Sequence, residues 1–365
     1  MRKALIVATI GGFLPVSEIN NARLLQELGY EVHYAANMHN RIYEFDEQKL
    51  IGEGFILHHV DFSKNPFNFV RLAQSIQKVK EIIKEQQIEV VHCHTPVGGV
   101  VGRLAPFFMK RNRPKVIYTA HGFHFYKGAP LLNWLLYYPV EYLLSKITDC
   151  IVTINHEDYE CAQKMCANKV TYIPGVGIDL ERFCPGEKHE KNGFSIISIG
   201  ELNKNKNHET IIKAIAKLQD KDIIYEIYGN GPGRDDLQKM INEYHLEKQI
   251  FLKGFEIDIE NKLVDADCCI FPSIREGLGL AALEALACGI PLITSDNRGT
   301  REYMQHNING IVCDPLDIDA FASAIVQIKE NRARAEQMAE VGLETVQAFS
   351  VEQSTKIMRA LYETL

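Results

Sequence analysis

The chain has 365 residues, more than one hydrophobic core usually serves, so two domains are expected. With 46% hydrophobic and 24% charged residues it is globular in composition, which excludes a disordered chain. The net charge of −7 argues against a nucleic-acid partner, although residues 1–170 carry 19 Lys+Arg against 16 Asp+Glu (+3) and residues 171–365 carry 21 against 31 (−10).

The first segment, MRKALIVATIGGF, opens like a signal peptide, but its apolar run is short and breaks at Gly11-Gly12, so it reads as a first strand. Short β-branched runs then alternate with amphipathic helical stretches, the pattern of parallel α/β sheets. The strands expected in the first half are Lys3–Ala8, Glu31–Ala35, Gly54–His58, Val90–His94, Lys115–Ala120, Cys150–Ile154 and Lys169–Ile173. Those of the second half are Phe194–Ile199, Ile223–Tyr228, Gln249–Lys253, Cys268–Pro272, Pro291–Thr294 and Gly310–Val312. Between the halves, residues 173–186 hold two Pro and three Gly with little periodicity, the composition of a linker. Two helical stretches, Asp317–Ala348 and Val351–Leu365, end the chain. The expected architecture is α/β, two Rossmann-like doubly wound domains facing across a cleft: 1–172, then 187–348, with a C-terminal helix over 349–365 packing back on the first. Ligands would bind at the carboxyl ends of the strands.

Nine cysteines, an odd number without a C-x-x-C pair, sit partly in apolar runs (Cys150, Cys268, Cys269), a reduced, cytosolic pattern. No stretch reaches the roughly 18 apolar residues that a spanning helix needs.

The segment with the clearest chemistry runs from Phe271-Pro-Ser through Glu276-Gly-Leu-Gly279 to Glu284 and Gly289-Ile-Pro291. A strand ends at Phe271, a glycine-bearing loop follows, and a helix begins near Gly279, so first-turn amides and the macrodipole offer an anion site. Glu276 and Glu284 would flank a phosphate bound there, and carboxylates suit the vicinal hydroxyls of a hexose or ribose. The plainer reading is a surface helix with ordinary acidic residues.

Glu276 and Glu284, with G-L-G-L-A-A-L between them, an F-P-S strand end before and a G-x-P strand after, closely resemble the E-x7-E signature of retaining glycosyltransferases of family four, which have the GT-B architecture. Gly200-Glu-Leu with Lys206, Gly229-Asn-Gly-Pro232, Gly254-Phe255 and the linker follow in that family's order. His121-Gly-Phe-His-Phe-Tyr-Lys and Ile154-Asn155 are similar to its capsule and exopolysaccharide branch. The resemblance implies transfer of a hexose or N-acetylhexosamine, with retention, from a nucleotide sugar (UDP before GDP or ADP) to a lipid-linked or saccharide acceptor. It implies neither a metal nor a cofactor, and a cytoplasmic enzyme able to lie against the inner face of a membrane. By the same resemblance Glu276 and the amides of Gly277, Leu278, Gly279 and Leu280 hold the donor sugar and phosphates, and Glu284 the ribose. Lys206 neutralises the diphosphate, His121 sits beside the sugar's reacting carbon, and Gly200, Gly229, Gly254 and Phe255 border the nucleotide. Gly11 and Gly12 reach the diphosphate from the other domain.

One position departs from the family pattern: Glu201 stands where an arginine is usual, and an acid cannot clamp a diphosphate. Either Lys206 carries more of that task, or Arg298 or Arg301 compensates, or donor affinity is weak. Two rivals follow: a nucleotide-sugar epimerase of the same fold, and a non-catalytic nucleotide-sugar-binding subunit. Other segments read as structure. Gly229-Asn-Gly-Pro-Gly233 fails the dinucleotide spacing, and Asp265-Ala-Asp267 lies at a helix–strand junction. His92 and His94 share a strand face without further ligands at zinc spacing. The aromatic-rich Leu131–Leu144, with basic Lys110–Lys115 earlier in the domain, is by default a buried helix, its alternative a helix at a lipid interface.

Overall fold

In the computed structural model residues 1–40, 45–63, 68–109, 111–189 and 193–365 are described, so Lys110 lies outside the described residues. The chain divides into two compact units, Met1–Val176 with Glu352–Leu365, and Gly177–Val351.

The first unit is built on a seven-stranded parallel sheet: β1 (Arg2–Ile10), β2 (Tyr30–Asn37), β3 (Ile56–His59), β4 (Val90–Cys93), β5 (Lys115–Ala120), β6 (Cys150–Thr153) and β7 (Lys169–Tyr172), in the order β3-β2-β1-β4-β5-β6-β7. Helices cover both faces, so the central strands read as unbroken apolar runs: Ala4 to Ala8 on β1 are fully buried. Each such Leu, Ile or Val contributes about 1.5–3 kcal/mol by leaving water. Strand order reverses between β1 and β4, the point where a doubly wound sheet leaves a crevice at its carboxyl edge. The helix Val351–Tyr362 supplies Met358, Leu361 and Tyr362, all buried, and Tyr362 Oη lies 2.8 Å from His92 Nδ1 on β4.

The second unit has a six-stranded parallel sheet: β8 (Phe194–Ile199), β9 (Ile223–Tyr228), β10 (Ile250–Gly254), β11 (Cys268–Phe271), β12 (Leu292–Ser295) and β13 (Ile311–Cys313), in the order β10-β9-β8-β11-β12-β13. Its reversal point falls between β8 and β11. Its core gathers Ile196, Ile211, Tyr225, Ile270, Ile293 and Phe321, among others.

Every expected strand forms, within one or two residues of the expected bounds. Two expectations need correction. The stretch Asp317–Ala348 is two helices, Ile318–Glu330 and Arg332–Val346, because Asn331 leaves the helical region (φ −117°) and caps the second through Arg334 N. The helix Leu131–Ser145 is not buried: Leu131, Leu132, Leu135, Leu136, Val140 and Leu143 face outward. Its inward contacts are Glu141, whose Oε2 accepts from Arg103 Nη1 at 2.6 Å, and the rings of Tyr137 and Tyr138 against His124 and Phe125.

Candidate functional site

In the second unit the loops leaving β8 and β11 meet at the reversal point. Two asparagines hold them together. Asn205 Nδ2 donates to Arg275 O at 2.9 Å, Ile274 N returns a bond to Asn205 O at 2.8 Å, and Asn207 Nδ2 reaches Pro272 O at 3.1 Å. Asn203 Oδ1 accepts from Lys206 N at 3.0 Å. This bracket sets Lys206 Nζ 2.7 Å from Glu276 Oε1, both side chains about four-fifths buried (20% and 15% exposed). Lys206 keeps further N–H donors beyond that bond. Its ammonium also lies 4.9 Å from the ring centre of Phe271, within cation–π reach.

Behind Glu276 the helix Leu280–Ala287 begins at Gly279, whose φ of +90° is open to glycine; a Cβ there would lie 2.8 Å from the Phe271 ring. Tyr303 Oη donates to Gly279 O at 3.3 Å and fixes the turn. The amides that begin this helix have no intrahelical acceptor, so the turn presents donors with the macrodipole behind them. Glu284 follows in the second turn. Burial pushes its carboxyl up to about 7, opposed by Arg182 and reinforced by Glu260. Arg182 itself is anchored to Glu260 (Nη2–Oε2 2.8 Å).

The three remaining loops are closed by glycine. Gly200, Gly229 and Gly254 stand at the carboxyl ends of β8, β9 and β10, joined by Gly200 N to Tyr228 O (2.9 Å) and Gly229 N to Gly254 O (2.7 Å). A Cβ on Gly229 would come within 2.0 Å of Gly200 O, so the two turns can only meet without side chains. Phe255, next to Gly254, is 75% exposed and presents an open ring. Glu201 is exposed. Of the two arginines considered against it, Arg298 is buried and donates from Nε to Glu276 O at 3.2 Å, while Arg301 forms a two-pronged pair with Asp296 (2.6 and 3.0 Å). Arg298 therefore stiffens the loop that carries Glu276, and Arg301 is engaged on Asp296.

The first unit has its own cluster at the β1/β4 reversal point. Gly11 and Gly12 end β1 and are buried; Gly11 N donates to Asn37 O at 3.0 Å. A π turn, Leu14–Glu18, follows and carries Glu18 inward. Its Oε1 lies 3.4 Å from His94 Nδ1 and 3.3 Å from His121 Nε2. Phe13 packs edge-on against His121. His121, at the end of β5, keeps 24% of its side chain exposed, whereas His92 and His94 are fully buried. Burial pulls His92 and His94 below the usual imidazole range; it pushes the Glu18 carboxyl up, but attraction to His94 and a hydrogen bond from His121 outweigh it and hold Glu18 below the usual carboxylate range. The sequence placed His92 and His94 on one face but gave no sign of Glu18, since only the π turn brings it to them.

Residues 13–155 match the family described as Glycosyl transferase 4-like, and residues 181–345 match Glycosyl transferases group 1. The chain is 35% identical to the putative glycosyltransferase EpsD of Bacillus subtilis, over 99% of this chain and 96% of that protein. It is 28% identical to an Escherichia coli protein named UDP-Gal:alpha-D-GlcNAc-diphosphoundecaprenol alpha-1,3-galactosyltransferase, over 79% of this chain and 81% of the other. Its fold is similar to that of Anabaena HepE, solved with UDP and glucose (TM-score 0.82, 17% identity, all of both chains covered). With both sheets wound as that fold requires, the chain belongs to the family-four glycosyltransferases of GT-B fold, in the branch that builds capsule and exopolysaccharide.

Proposed function

We propose that this glycosyltransferase retains the anomeric configuration, takes its sugar from a UDP donor held in the second unit, and delivers it to a lipid-linked acceptor. The observation that carries the reading is the Lys206–Glu276 pair, 2.7 Å apart between the glycine turns and the start of the helix Leu280–Ala287. It offers a point cation for a diphosphate and a carboxylate for sugar hydroxyls side by side. In this reading Glu276 binds the sugar, Glu284 the ribose, Phe255 the base, and the amides from Gly277 to Leu280 the phosphates. Lys206 stabilises the charge that grows on the departing diphosphate, an effect commonly worth 10²–10³ in rate per donor. His121, with Gly11 and Gly12, serves the same reaction from the first unit. Among the described residues no paired carboxylates sit as nucleophile and acid, so front-side attack, with the leaving phosphate taking the acceptor's proton, suits the residues present. The step as written asks for no metal and no cofactor. The UDP assignment draws on the names of the Escherichia coli relative and the HepE complex; the lipid-linked acceptor draws on the former.

The test is a thermal-shift screen with UDP-glucose, UDP-galactose and UDP-N-acetylglucosamine, repeated with Lys206→Ala and Glu276→Ala. A ligand at 100 times its Kd adds about 2.7 kcal/mol of stability. At least one UDP sugar should stabilise the native chain, and both variants should lose most of that gain. Equal stabilisation of all three proteins would refute the assigned donor site.

A further inference from the structure

Glu18 is a buried anion with one unanswered oxygen. Its Oε2 accepts from Asn21 Nδ2 at 2.7 Å. Its Oε1 has no bond of ordinary geometry among the described residues, yet it is flanked by His94 Nδ1 at 3.4 Å and His121 Nε2 at 3.3 Å. A carboxylate can only accept, so hydrogens directed at it must come from these two rings. His92, the third imidazole nearby, is already spent: its Nδ1 meets Tyr362 Oη at 2.8 Å and its Nε2 meets Thr119 Oγ1 at 2.7 Å. The same bonds argue against a cation on Glu18, His92 and His94, whose ligand atoms lie within 4.8 Å of one another: His92 has no nitrogen left to give.

We propose that Glu18 is a positioning residue for His121: its carboxylate selects the tautomer with hydrogen on Nε2 and leaves Nδ1, across the ring, as an acceptor for a substrate hydroxyl. The inference rests on the reading of His121 as a residue of the transfer site. The tautomer of an imidazole is set by the partners of its inner nitrogen, and His121 Nε2 has two: the Glu18 carboxylate at 3.3 Å, which can only accept, and His94 Nδ1, hydrogen-bonded to it at 3.3 Å. His94 Nδ1 also lies 3.4 Å from Glu18, and the carboxylate decides the direction of the ring–ring bond: a hydrogen on His121 Nε2 is shared by the anion and His94 Nδ1, which accepts. Phe13, edge-on to His121 and tilted against His94, offers neither ring a competing polar partner. Without Glu18 the His121 ring can flip or exchange tautomers, and the group offered to substrate changes from acceptor to donor.

Two-bond proton–nitrogen spectra of the full chain, labelled with ¹⁵N-histidine and assigned with His121→Gln, read the tautomer directly. The native protein should show His121 protonated on Nε2, and Glu18→Gln should show a mixture. With a UDP sugar and a polyprenyl-diphosphate N-acetylhexosamine, Glu18→Gln should lower kcat about 10- to 100-fold while KM for the donor stays within about twofold. An Nδ1–H tautomer in the native chain overturns the proposal, and needs no folded Glu18 variant. So does a Glu18→Gln protein with native kcat and native His121 signals, or purified native chain carrying one zinc that Glu18→Gln loses. If His121→Ala transfers sugar normally, the assignment of the transfer site fails instead, while the tautomer result stands on its own.

Discussion

Glu284 shows how a single carboxylate sets a pH dependence. Burial pushes it up to about 7 from an ordinary value of 4.5. In the unfolded chain it ionises near 4.5, so between the two values the folded chain holds a proton that the unfolded chain has lost. The group's stabilising contribution is therefore complete below the lower value and drains away as pH rises through 7. Glu284→Gln removes this dependence. Its melting temperature should match the native one at pH 4.5 and exceed it at pH 8, by the equivalent of about 1–3 kcal/mol. A gap that does not change with pH would show that the carboxyl is not desolvated. Glu284 itself was legible in the sequence through its spacing from Glu276, and Lys206 through the family's order of motifs. The asparagines that bring Lys206 to Glu276 were not, because Asn205 and Asn207 act through contacts to residues about 65–70 positions away, Arg275 and Pro272.

At the scale of elements, the strands could be read because a sheet covered on both faces demands continuous β-branched runs, and runs such as LIVA on β1 survive no other placement. The helix Leu131–Ser145 misled for the opposite reason: it turns tyrosines and Glu141 inward and all its leucines but Leu144 outward, the reverse of the usual pattern. Beside its end stand exposed Phe107 and Phe108 and the basic Arg111, Arg113, Lys115 and Lys146, and Arg113 Nη2 donates to Ile147 O at 2.5 Å. No helix among the described residues is long and apolar enough to cross a membrane. An apolar face rimmed by cations suits the surface of an anionic bilayer, each cation adding about 1 kcal/mol near it. The chain should co-sediment with phosphatidylglycerol vesicles, and Leu135→Glu with Leu143→Glu should reduce binding at least about fivefold. Because both positions are exposed (72% and 61%), melting should shift by no more than about 2 °C. A native chain that stays in the supernatant sinks the idea.

For the whole molecule, the chain's path matters more than its length. Residues 352–365 follow the second unit in sequence but belong to the first, where Tyr362 is fully buried against His92. Removing an aromatic of this kind costs about 3–5 kcal/mol, and here it also strips His92 of a partner. A chain ended at Val351 should therefore lose the cooperative unfolding of residues 1–176 in calorimetry, yet keep a second transition that a UDP sugar still raises. Two intact transitions would show the helix to be dispensable. The periodicity of Val351–Leu365 announced a helix, and the sequence reading already set it against the first domain.

That crossing of the chain imposes a delay on synthesis. At 5–20 residues per second, the whole of residues 177–351 separates the first sheet from the helix that seals it, a wait of roughly 10–35 s. Throughout it the side of β4 that Tyr362 will cover stays open to water and to chaperones, so the half that is made first is the half that is finished last.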